Sequence, residues 1–272
     1  LKLSYSGTVA AAPVCVNTGG GASCDMTFSG GVAFDIDVPH HRAAENAVAT
    51  IRALQSDPKT SQCVAAFRNT DKQVQYSCGY ETASKGGAAL TLADKALVCS
   101  TGARQAVTTR FDANGAAKLT LNYPDVGKVK LMAQLDDARG DTVFTVAPHR
   151  FGFSALPKAA AGEALRAGDD FKVTVSALNA RGDITPSFDK TALQPDLLAT
   201  KFSVECAAKG EAGSLGVTTA ASFSAGSATP VLWWSEVGAF DVKATLDAFL
   251  DSGLAVSGTS DEASAGCSAR VG

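Results

Sequence analysis

Apolar and polar residues alternate with a period of two in segments that run from one end of the 272-residue sequence to the other. A half-buried strand of an antiparallel sheet produces this pattern, because successive side chains point to opposite faces. Glycine-rich turn formers separate the segments, and short strands at this spacing are typical of β-sandwiches. We therefore predict an all-β fold. The alternating segments are residues 1–9, 32–38, 73–80, 118–123, 128–135, 142–146, 171–178 and 240–246.

Residues 41–57 fit two patterns. The segment is rich in alanine, and Ala44, Val48 and Ile51 have helical spacing, which favours an amphipathic helix. As a strand, the same stretch would place Val48 and Arg52 on one face and Ile51 on the other. We prefer the strand, because the surrounding chain is predicted to be β and tertiary context often overrides local propensity.

A second constraint is an internal repeat. NYPDVGKVKLMAQL at residues 122–135 is echoed by WWSEVGAFDVKATL at residues 233–246, with a constant offset of 111. In both copies an aromatic residue ends a strand, an acidic residue follows, and a glycine allows a positive φ or a close backbone approach. We predict a structural corner between two strands in each copy. The corner residues are Tyr123, Asp125 and Gly127 in the first copy, and Trp234, Glu236 and Gly238 in the second.

The repeat divides the chain into two modules, with a boundary in residues 145–158. Pro148 is expected to end one strand, and residues 150–154 to begin the next. Modules of this length suit sandwich domains arranged in series. We therefore predict two tandem immunoglobulin-like β-sandwich domains, the first at residues 1–147 with disulfides and the second at residues 148–272.

The sequence contains seven cysteines, none of them in a CxxC pair. Zinc ribbons and haem attachment need tighter spacing, so we predict a disulfide framework formed in an oxidising compartment. The glycine-rich stretch at residues 17–23 would be a hairpin tip closed by one of these bridges. The predicted groups are Cys15 with Cys24, Cys206 with Cys267, and one bridge plus one unpaired thiol among Cys63, Cys78 and Cys99, with the pairing left open.

Composition excludes several classes of partner. Lysine and arginine total 24 against 27 acidic residues, which gives a net charge of -3 and no run of three basic residues. This balance argues against binding to nucleic acid or to an anionic membrane surface. No apolar stretch has the length of a spanning helix, so we predict no membrane span in this segment.

The histidines do not predict a catalytic or metal site. His40 and His41 are adjacent, so on a strand their side chains would point to opposite faces and could not easily share a metal. His149 is the only other histidine, and the sequence contains none of the usual hydrolase or phosphate-binding motifs. We therefore predict that the protein is not an enzyme and has no cofactor and no metal.

Three short motifs are predicted to be turns. The DANG stretch at residues 112–115 favours a hairpin turn over a calcium loop. The tripeptide RGD occurs at residues 139–141 and at residues 181–183. In both places a turn between strands is the preferred interpretation over an integrin ligand.

Several longer phrases resemble one family. The phrases are FDIDVPHHRA (residues 34–43), SQCVAAF (61–67), VQYSCGY (74–80), RFDANGAAKLTLNYPDVGKVKLMA (110–133), APHRFGFS (147–154) and FKVTVSALNARGDITPSFD (171–189). They are similar to the domain of unassigned function at the C-terminal side of MSHA-pilus biogenesis proteins of the MshQ type. The resemblance implies a protein exported by a Gram-negative bacterium and encoded with type IV pilus machinery.

The resemblance and the predicted modules together suggest a function. The leading hypothesis is a non-enzymatic extracellular protein that serves as the stalk or presenting module of a surface or pilus-associated adhesin. Its partners would be other domains of a larger surface protein, pilus subunits, and a host or surface ligand. The alternative is a structural subunit of an extracellular filament or surface layer, which would assemble through its sandwich modules or by strand addition at sheet edges.

Overall fold

The computed structural model describes residues 31–57, 59–60, 62–85, 87–155, 166–205, 213–236 and 240–260. Within these ranges the chain forms β-strands and one short 3₁₀ helix, Pro195–Leu198, so the all-β prediction is confirmed. In the described part, no helix has the length and apolar character needed to cross a membrane. The strand predicted at residues 1–9 lies outside the described residues.

The first sandwich is built from the strands that precede residue 148. Their bounds are β1 Val32–Asp37, β2 His41–Arg42, β3 Asn46–Ser56, β4 Cys63–Ala65, β5 Thr70–Tyr80, β6 Leu90–Leu92, β7 Lys95–Leu97, β8 Gln105–Phe111, β9 Ala116–Asn122, β10 Gly127–Leu135 and β11 Ala138–Ala147. One sheet has the order β1-β3-β9-β6-β7 with β4 paired to β3, and the other has the order β2-β11-β10-β5-β8. Alternate residues of both sheets are buried in the core between them, as in an immunoglobulin-like sandwich.

Strand β3 settles the ambiguous segment at residues 41–57. Ile51 is buried, whereas Val48 and Arg52 on the opposite face are exposed. β3 pairs with β1 on one side and β9 on the other. Its central place in the sheet explains why it is a strand despite its alanine content, and the strand interpretation is confirmed.

The second sandwich is built from the strands that follow residue 149. Their bounds are β12 Arg150–Ser154, β13 Asp170–Lys172, β14 Thr174–Leu178, β15 Lys201–Glu205, β16 Leu215–Thr219, β17 Ser227–Ala228, β18 Val231–Trp234, β19 Asp241–Leu246 and β20 Val256–Thr259. They form three sheets of three strands, with the orders β12-β14-β17, β13-β18-β16 and β15-β19-β20. Among the described strands, none pairs across the boundary between the sandwiches. The tandem immunoglobulin-like architecture predicted from the sequence is confirmed.

The prediction of one continuous strand at residues 171–178 is wrong, because this segment forms two short strands. The chain changes sheet at Val173, so β13 pairs with β18 while β14 pairs with β12 and β17. Val173 is fully buried, and its N–H donates to the carbonyl of Pro230. Buried and solvent-facing residues still alternate across Val173, because β13 and β14 each place one face against the core.

The repeated stretch has the same course in both halves. The first copy leaves one sheet at the end of β9, turns, and enters the other sheet as β10. The second copy leaves β18 and enters a different sheet as β19 in the same way. Residues 237–239 of the second corner, which include Gly238, lie outside the described residues.

The two halves share a second feature, a close approach of two strands at a glycine, which was not evident from the sequence. A Cβ added to Gly140 in β11 would lie 2.0 Å from the carbonyl oxygen of Phe34, and one added to Gly258 in β20 would lie 1.9 Å from that of Phe151. Among the described strands, the last strand of each half therefore crosses the first strand of that half at a glycine. Only a residue without a side chain allows this approach.

The cysteines within the described residues form one disulfide, between Cys78 and Cys99. It links β5 to the segment that follows β7, and both partners are buried. Cys63 in β4 is exposed and, within the same residues, has no disulfide partner. The other four candidates, Cys15, Cys24, Cys206 and Cys267, lie outside the described residues, so their predicted pairings stay predictions.

One of the three predicted turns is wrong. Residues 139–141 lie inside β11 and pair with β10, because the hairpin turns earlier, at Asp136 with a φ of 52°. Residues 181–183 do form an exposed turn, in which Gly182 has a φ of 87°. Residues 112–115 also turn, and Gly115 there has a φ of 76°.

Candidate functional site at the junction of the two sandwiches

The connection between the sandwiches is two residues long. β11 ends at Ala147 and β12 begins at Arg150, so only Pro148 and His149 lie between them. Arg42 holds this linker: its Nη1 donates to the carbonyls of Pro148 and His149, each at 3.1 Å. Its Nη2 donates to the carbonyl of Ala255 in the second sandwich at 2.8 Å. One guanidinium therefore binds the linker and the domain beyond it.

Asp125, in the first corner, is the central polar group of the junction. It is 2% exposed. Its Oδ2 accepts a hydrogen bond from Ser187 Oγ at 2.6 Å, and its Oδ1 accepts from the N–H groups of Ser187 at 3.1 Å and Val126 at 2.9 Å. Burial raises the pKa of the Asp125 carboxyl, and the hydrogen bonds from Ser187 and Val126 oppose that rise. All three donors are neutral groups, and two of them come from the other sandwich.

A tight turn of the second sandwich lies against the same corner. Asn179 is buried, and its Nδ2 donates to the carbonyl of Pro124 at 3.1 Å. Its Oδ1 accepts the N–H of Asp183 at 3.1 Å, which closes the turn. The N–H of Ala180 donates to the carbonyl of Ala43 at 2.9 Å. The turn is thus held to two separate segments of the first sandwich.

A loop that follows β5 completes the polar contacts. The N–H of Lys85 donates to Ser187 Oγ at 2.9 Å, and Ser84 Oγ lies 3.2 Å from the same hydroxyl. Thr82 Oγ1 accepts the N–H of Lys128 at 2.9 Å. A Cβ on Gly127 would lie 2.6 Å from that Thr82 oxygen, and Gly127 has a φ of 131°. The corner glycine is therefore required by a close contact and by its backbone conformation.

Apolar packing is continuous through the junction. Tyr123 and Phe188 are fully buried, and both belong to one cluster of buried residues that extends through both sandwiches. Burial, followed by the charge of Asp125, raises the pKa of the Tyr123 hydroxyl. Phe188 stands next to Ser187 and packs edge to face on Phe223, with ring centroids 4.6 Å apart. The packing of Phe188 in the core of the second sandwich therefore fixes the position of Ser187.

The histidines lie beside this site. His41 is buried, and its Nδ1 is 3.0 Å from the carbonyl of Pro39. Burial lowers the pKa of His41, against the opposing effects of the Pro39 carbonyl and the charge of Glu45. His40 Nδ1 accepts the N–H of Thr145 at 2.9 Å. The two adjacent rings thus have separate partners.

His149, in the linker, has its Nδ1 2.8 Å from Glu45 Oε1. Within the described ranges, no group of three or more histidine, cysteine, aspartate or glutamate residues is arranged to hold a metal ion. Each of the three rings makes a contact of hydrogen-bond length through its Nδ1.

The predicted corner residues have different surroundings in the two copies. Tyr123, Asp125 and Gly127 all lie at the junction. Trp234 instead packs on Phe240 in a second apolar cluster, with ring centroids 4.2 Å apart, and Glu236 is exposed. The two corners have the same strand connections, but only the first is covered by another sandwich in the described residues.

The junction residues that sequence reasoning missed include Arg42, Asn179 and Ser187. Each lies in one of the phrases that carried the family resemblance, at residues 34–43 and 171–189. Residues 171–189 meet residues 110–133 across the junction, and the carbonyl of Ala43, in residues 34–43, accepts the N–H of Ala180. The phrases alone gave no indication that they were in contact.

The first half of the chain is similar to one known protein family. A family model described as "Domain of unknown function (DUF6701), first Ig-like domain" matches residues 12–147. No curated protein matches the chain by sequence.

Several solved structures of low sequence identity are similar. The C-terminal 282-residue fragment of intimin, in complex with the intimin-binding domain of its translocated receptor, is 12% identical with a TM-score of 0.36, covering 83% of this chain and 62% of that one. The Escherichia coli adhesin FdeC is 15% identical with a TM-score of 0.37, covering 81% and 60%. Yersinia pseudotuberculosis adhesin InvE is 13% identical with a TM-score of 0.34, covering 85% and 60%. The chain thus spans less than two thirds of each of these solved chains.

Proposed function

This chain belongs to the DUF6701 family, whose first Ig-like domain matches residues 12–147, and we propose that the chain is a non-enzymatic stalk or presenting module of a surface adhesin. The adhesin would be extracellular, exposed on a Gram-negative bacterium and associated with a type IV pilus. Its partners would be other domains of a larger surface protein or pilus subunits, and a host or surface ligand would bind the assembled adhesin.

The junction is the observation that carries this proposal. A stalk must keep its modules in a fixed relation, whereas domains joined by a loose linker move relative to one another by default. Here the linker has two residues, and both of its carbonyls are bound by Arg42. The buried bond between Asp125 and Ser187 adds a contact that cannot be exchanged for water without opening the interface.

We propose that the domain boundary lies between residues 147 and 148, giving domains at residues 1–147 and 148–272. The end of β11 at Ala147 and the beginning of β12 at Arg150 support this position. The family match also ends at residue 147.

The non-enzymatic role is supported by how the buried ionisable groups are used. Asp125 is hydrogen-bonded within the junction. His41 lies beside the junction, and its ring contacts the Pro39 carbonyl. Asp189 accepts hydrogen bonds from Thr191 and from the N–H of Ala225. Burial alone would raise the pKa of Asp189, but these bonds lower it to about 2. Each group thus stabilises a local connection.

The test compares three bacterial strains in an adhesion assay. One expresses the intact parent protein, one lacks residues 1–272 of this segment, and one carries an unrelated rigid pair of immunoglobulin-like domains in their place. A stalk predicts that deletion lowers adhesion and that the unrelated pair restores it. If the pair does not restore adhesion and the purified segment competes with the bacteria for the surface, the segment itself binds the ligand and the stalk role is wrong.

Two measurements on the purified chain address the other possibilities. Light scattering after size exclusion should give a monomer, whereas concentration-dependent assembly would favour the filament or surface-layer subunit. Small-angle scattering should give one extended shape for the wild type and a broader distribution for Asp125→Ala. Turnover in a general hydrolase screen would contradict the non-enzymatic role.

A further inference from the structure

Residues 40–45, which we call the strap, attach the first sandwich to the linker and to the second sandwich. Arg42 donates to the two linker carbonyls and to the carbonyl of Ala255. The carbonyl of Ala43 accepts the N–H of Ala180 at 2.9 Å. Movement of the strap would therefore release the linker and part of the contact with the second sandwich.

The attachment of the strap to its own sandwich is short. β2 has two residues, and it pairs with the last two residues of β11. Beyond this pairing, the N–H of Ala43 donates to the carbonyl of Ala147 and the N–H of Ala44 to that of Tyr123, each at 2.8 Å. Elements held by few bonds open locally at a low cost in free energy. The strap can thus detach while the sheets of both sandwiches stay folded.

His41 is the residue of the strap whose surroundings most oppose a positive charge. Its ring is 8% exposed and stacks on Phe144, with ring centroids 5.5 Å apart. Its Nδ1 lies 3.0 Å from the carbonyl of Pro39, so this nitrogen carries the proton of the neutral ring. Its Nε2 is buried and has no hydrogen-bond partner within the described residues. A second proton would therefore create a buried, charged donor without an acceptor.

The charged groups around the ring act in opposite directions. The charge of Glu45 favours protonation of His41 and that of His40 opposes it, but burial is the largest effect and lowers the pKa of His41. β11 contributes the uncharged ring of Phe144. Glu45 is also paired with His149, and both of these side chains are partly exposed, where an ion pair contributes little. Burial of His41 therefore decides the sign of the response to acid.

His40 responds in the same sense. Its Nδ1 accepts the N–H of Thr145 at 2.9 Å. A proton on that nitrogen would turn two donors towards each other and remove the bond. Both adjacent rings therefore fit the observed position of the strap only while they are neutral.

We propose that the strap is an acid-released latch: when His41 takes up a proton, residues 40–45 detach from β11 and release the linker, while the first corner stays bound to the second sandwich. Acid does not weaken the corner, because burial raises the pKa of the Asp125 carboxyl and its neutral form keeps a hydrogen bond with Ser187. The second sandwich can then turn about this remaining contact.

The sign of the pH dependence follows from the pKa of His41. Since burial lowers it from 6.5, the latch is engaged above that pH and is lost as the pH falls through the folded-state pKa. At neutral pH the two sandwiches thus keep the fixed relation that the stalk role requires. The latch itself rests on the geometry of the junction and not on that role.

Hydrogen exchange of the full chain, followed by NMR at about pH 7.5 and about pH 5, tests the latch. Each rate is divided by the intrinsic rate of an unstructured peptide at the same pH. The N–H groups of Ala43, Ala44 and Thr145 report on the strap, and those of Val126 and Ser187 report on the corner. Protection of the strap should fall with pH by up to about thirtyfold, the limit for one histidine whose pKa is 6.5 when the strap is open. Protection of the corner should change by less than about threefold.

Two variants identify the group that takes up the proton. His41→Phe keeps a ring against Phe144 and cannot be protonated, so protection of the strap should be the same at both pH values. His149→Gln is the matched control, because it removes the titratable ring of the linker and leaves His41 in place; the response to acid should persist.

A further measurement needs only the wild type. In an NMR titration of the three histidine rings, the loss of strap protection should follow the protonation of His41. The latch would be overturned by equal strap protection at both pH values, by a response that persists in His41→Phe, or by loss of protection at the corner together with the strap. The adhesion assay tests the stalk role independently, so either proposal can fail while the other stands.

Discussion

Replacement of Asp125 by alanine is the most direct perturbation of the junction. It removes three hydrogen bonds, and it leaves the N–H groups of Ser187 and Val126 buried without an acceptor. Each such group costs about 1–3 kcal/mol. The Ser187 hydroxyl can still contact Ser84 and the Lys85 N–H. The cost of burying the carboxylate is relieved as well, so we expect a net loss of about 2–4 kcal/mol.

The two sandwiches can be followed separately during unfolding. Both tryptophans, Trp233 and Trp234, belong to the second sandwich, so their fluorescence reports on that half, whereas far-ultraviolet circular dichroism reports on both. In the wild type we expect the two signals to change together in urea, as for one cooperative unit. In Asp125→Ala we expect them to separate, with the earlier midpoint lowered by about 1–2 M for an m-value of about 2 kcal/mol/M.

Asp125→Asn is the matched control. Its amide oxygen can accept the same two N–H groups, and its amide N–H can donate to Ser187 Oγ, so the loss should stay near 1 kcal/mol or below. The raised pKa of Asp125 fixes the sign of the pH dependence. The stability contributed by the neutral carboxyl is full below 3.8 and is lost as the pH rises through the folded-state pKa. The deficit of the Asn variant should therefore shrink as the pH rises. Coincident transitions in Asp125→Ala, with a loss under about 0.5 kcal/mol, would refute the reasoning.

The remaining predictions concern the first sandwich. Replacing Cys78 and Cys99 by alanine removes a bridge with a sequence separation of 21. It should cost about 3 kcal/mol and lower the Tm by about 10 °C in calorimetry; an unchanged Tm would contradict the bridge. Gly140→Ala should cost about 2–3 kcal/mol through its clash with the neighbouring strand, whereas Gly79→Ala, with no atom closer than 3.9 Å, should be nearly neutral; equal denaturation midpoints would disprove the close contact. Because burial lowers the pKa of His41, the wild type should lose stability as the pH falls below 6.5 and through the folded-state pKa, while His41→Phe should not; parallel pH profiles would exclude this role.

The sequence predicted strands well where one face is buried. Alternation identified β3 despite its alanine content, because Ile51 and the alternate residues Ala49 and Ala53 face the core. The same signal could not show that the chain changes sheet at Val173, since both short strands keep the alternation. Residues 139–141 were assigned to a turn from their glycine, but Gly140 serves a close approach of two strands instead.

The contacts across the junction could not be predicted from a single sequence, for a different reason. The corner at Asp125 was recognised as structural, but its partner Ser187 is 62 residues away in the sequence. A carboxylate in a turn can equally accept hydrogen bonds from its own loop, as Asp112 does with Asn114 and Ala116. Local pattern indicates the chemical type of such a residue, and only the packing of the two sandwiches identifies its partner.

The interlocking of the two sandwiches also bears on how such a gene can change. A recombination event that separated them at residue 148 would leave Asp125 and Asn179 without the groups that bind them across the junction. Each freed half would then expose polar and apolar surface that the other half now covers. We therefore expect the pair to be the unit that can be duplicated or exchanged between proteins, and substitutions in residues 41–45 and 123–127 should persist only together with compatible ones in residues 179–188.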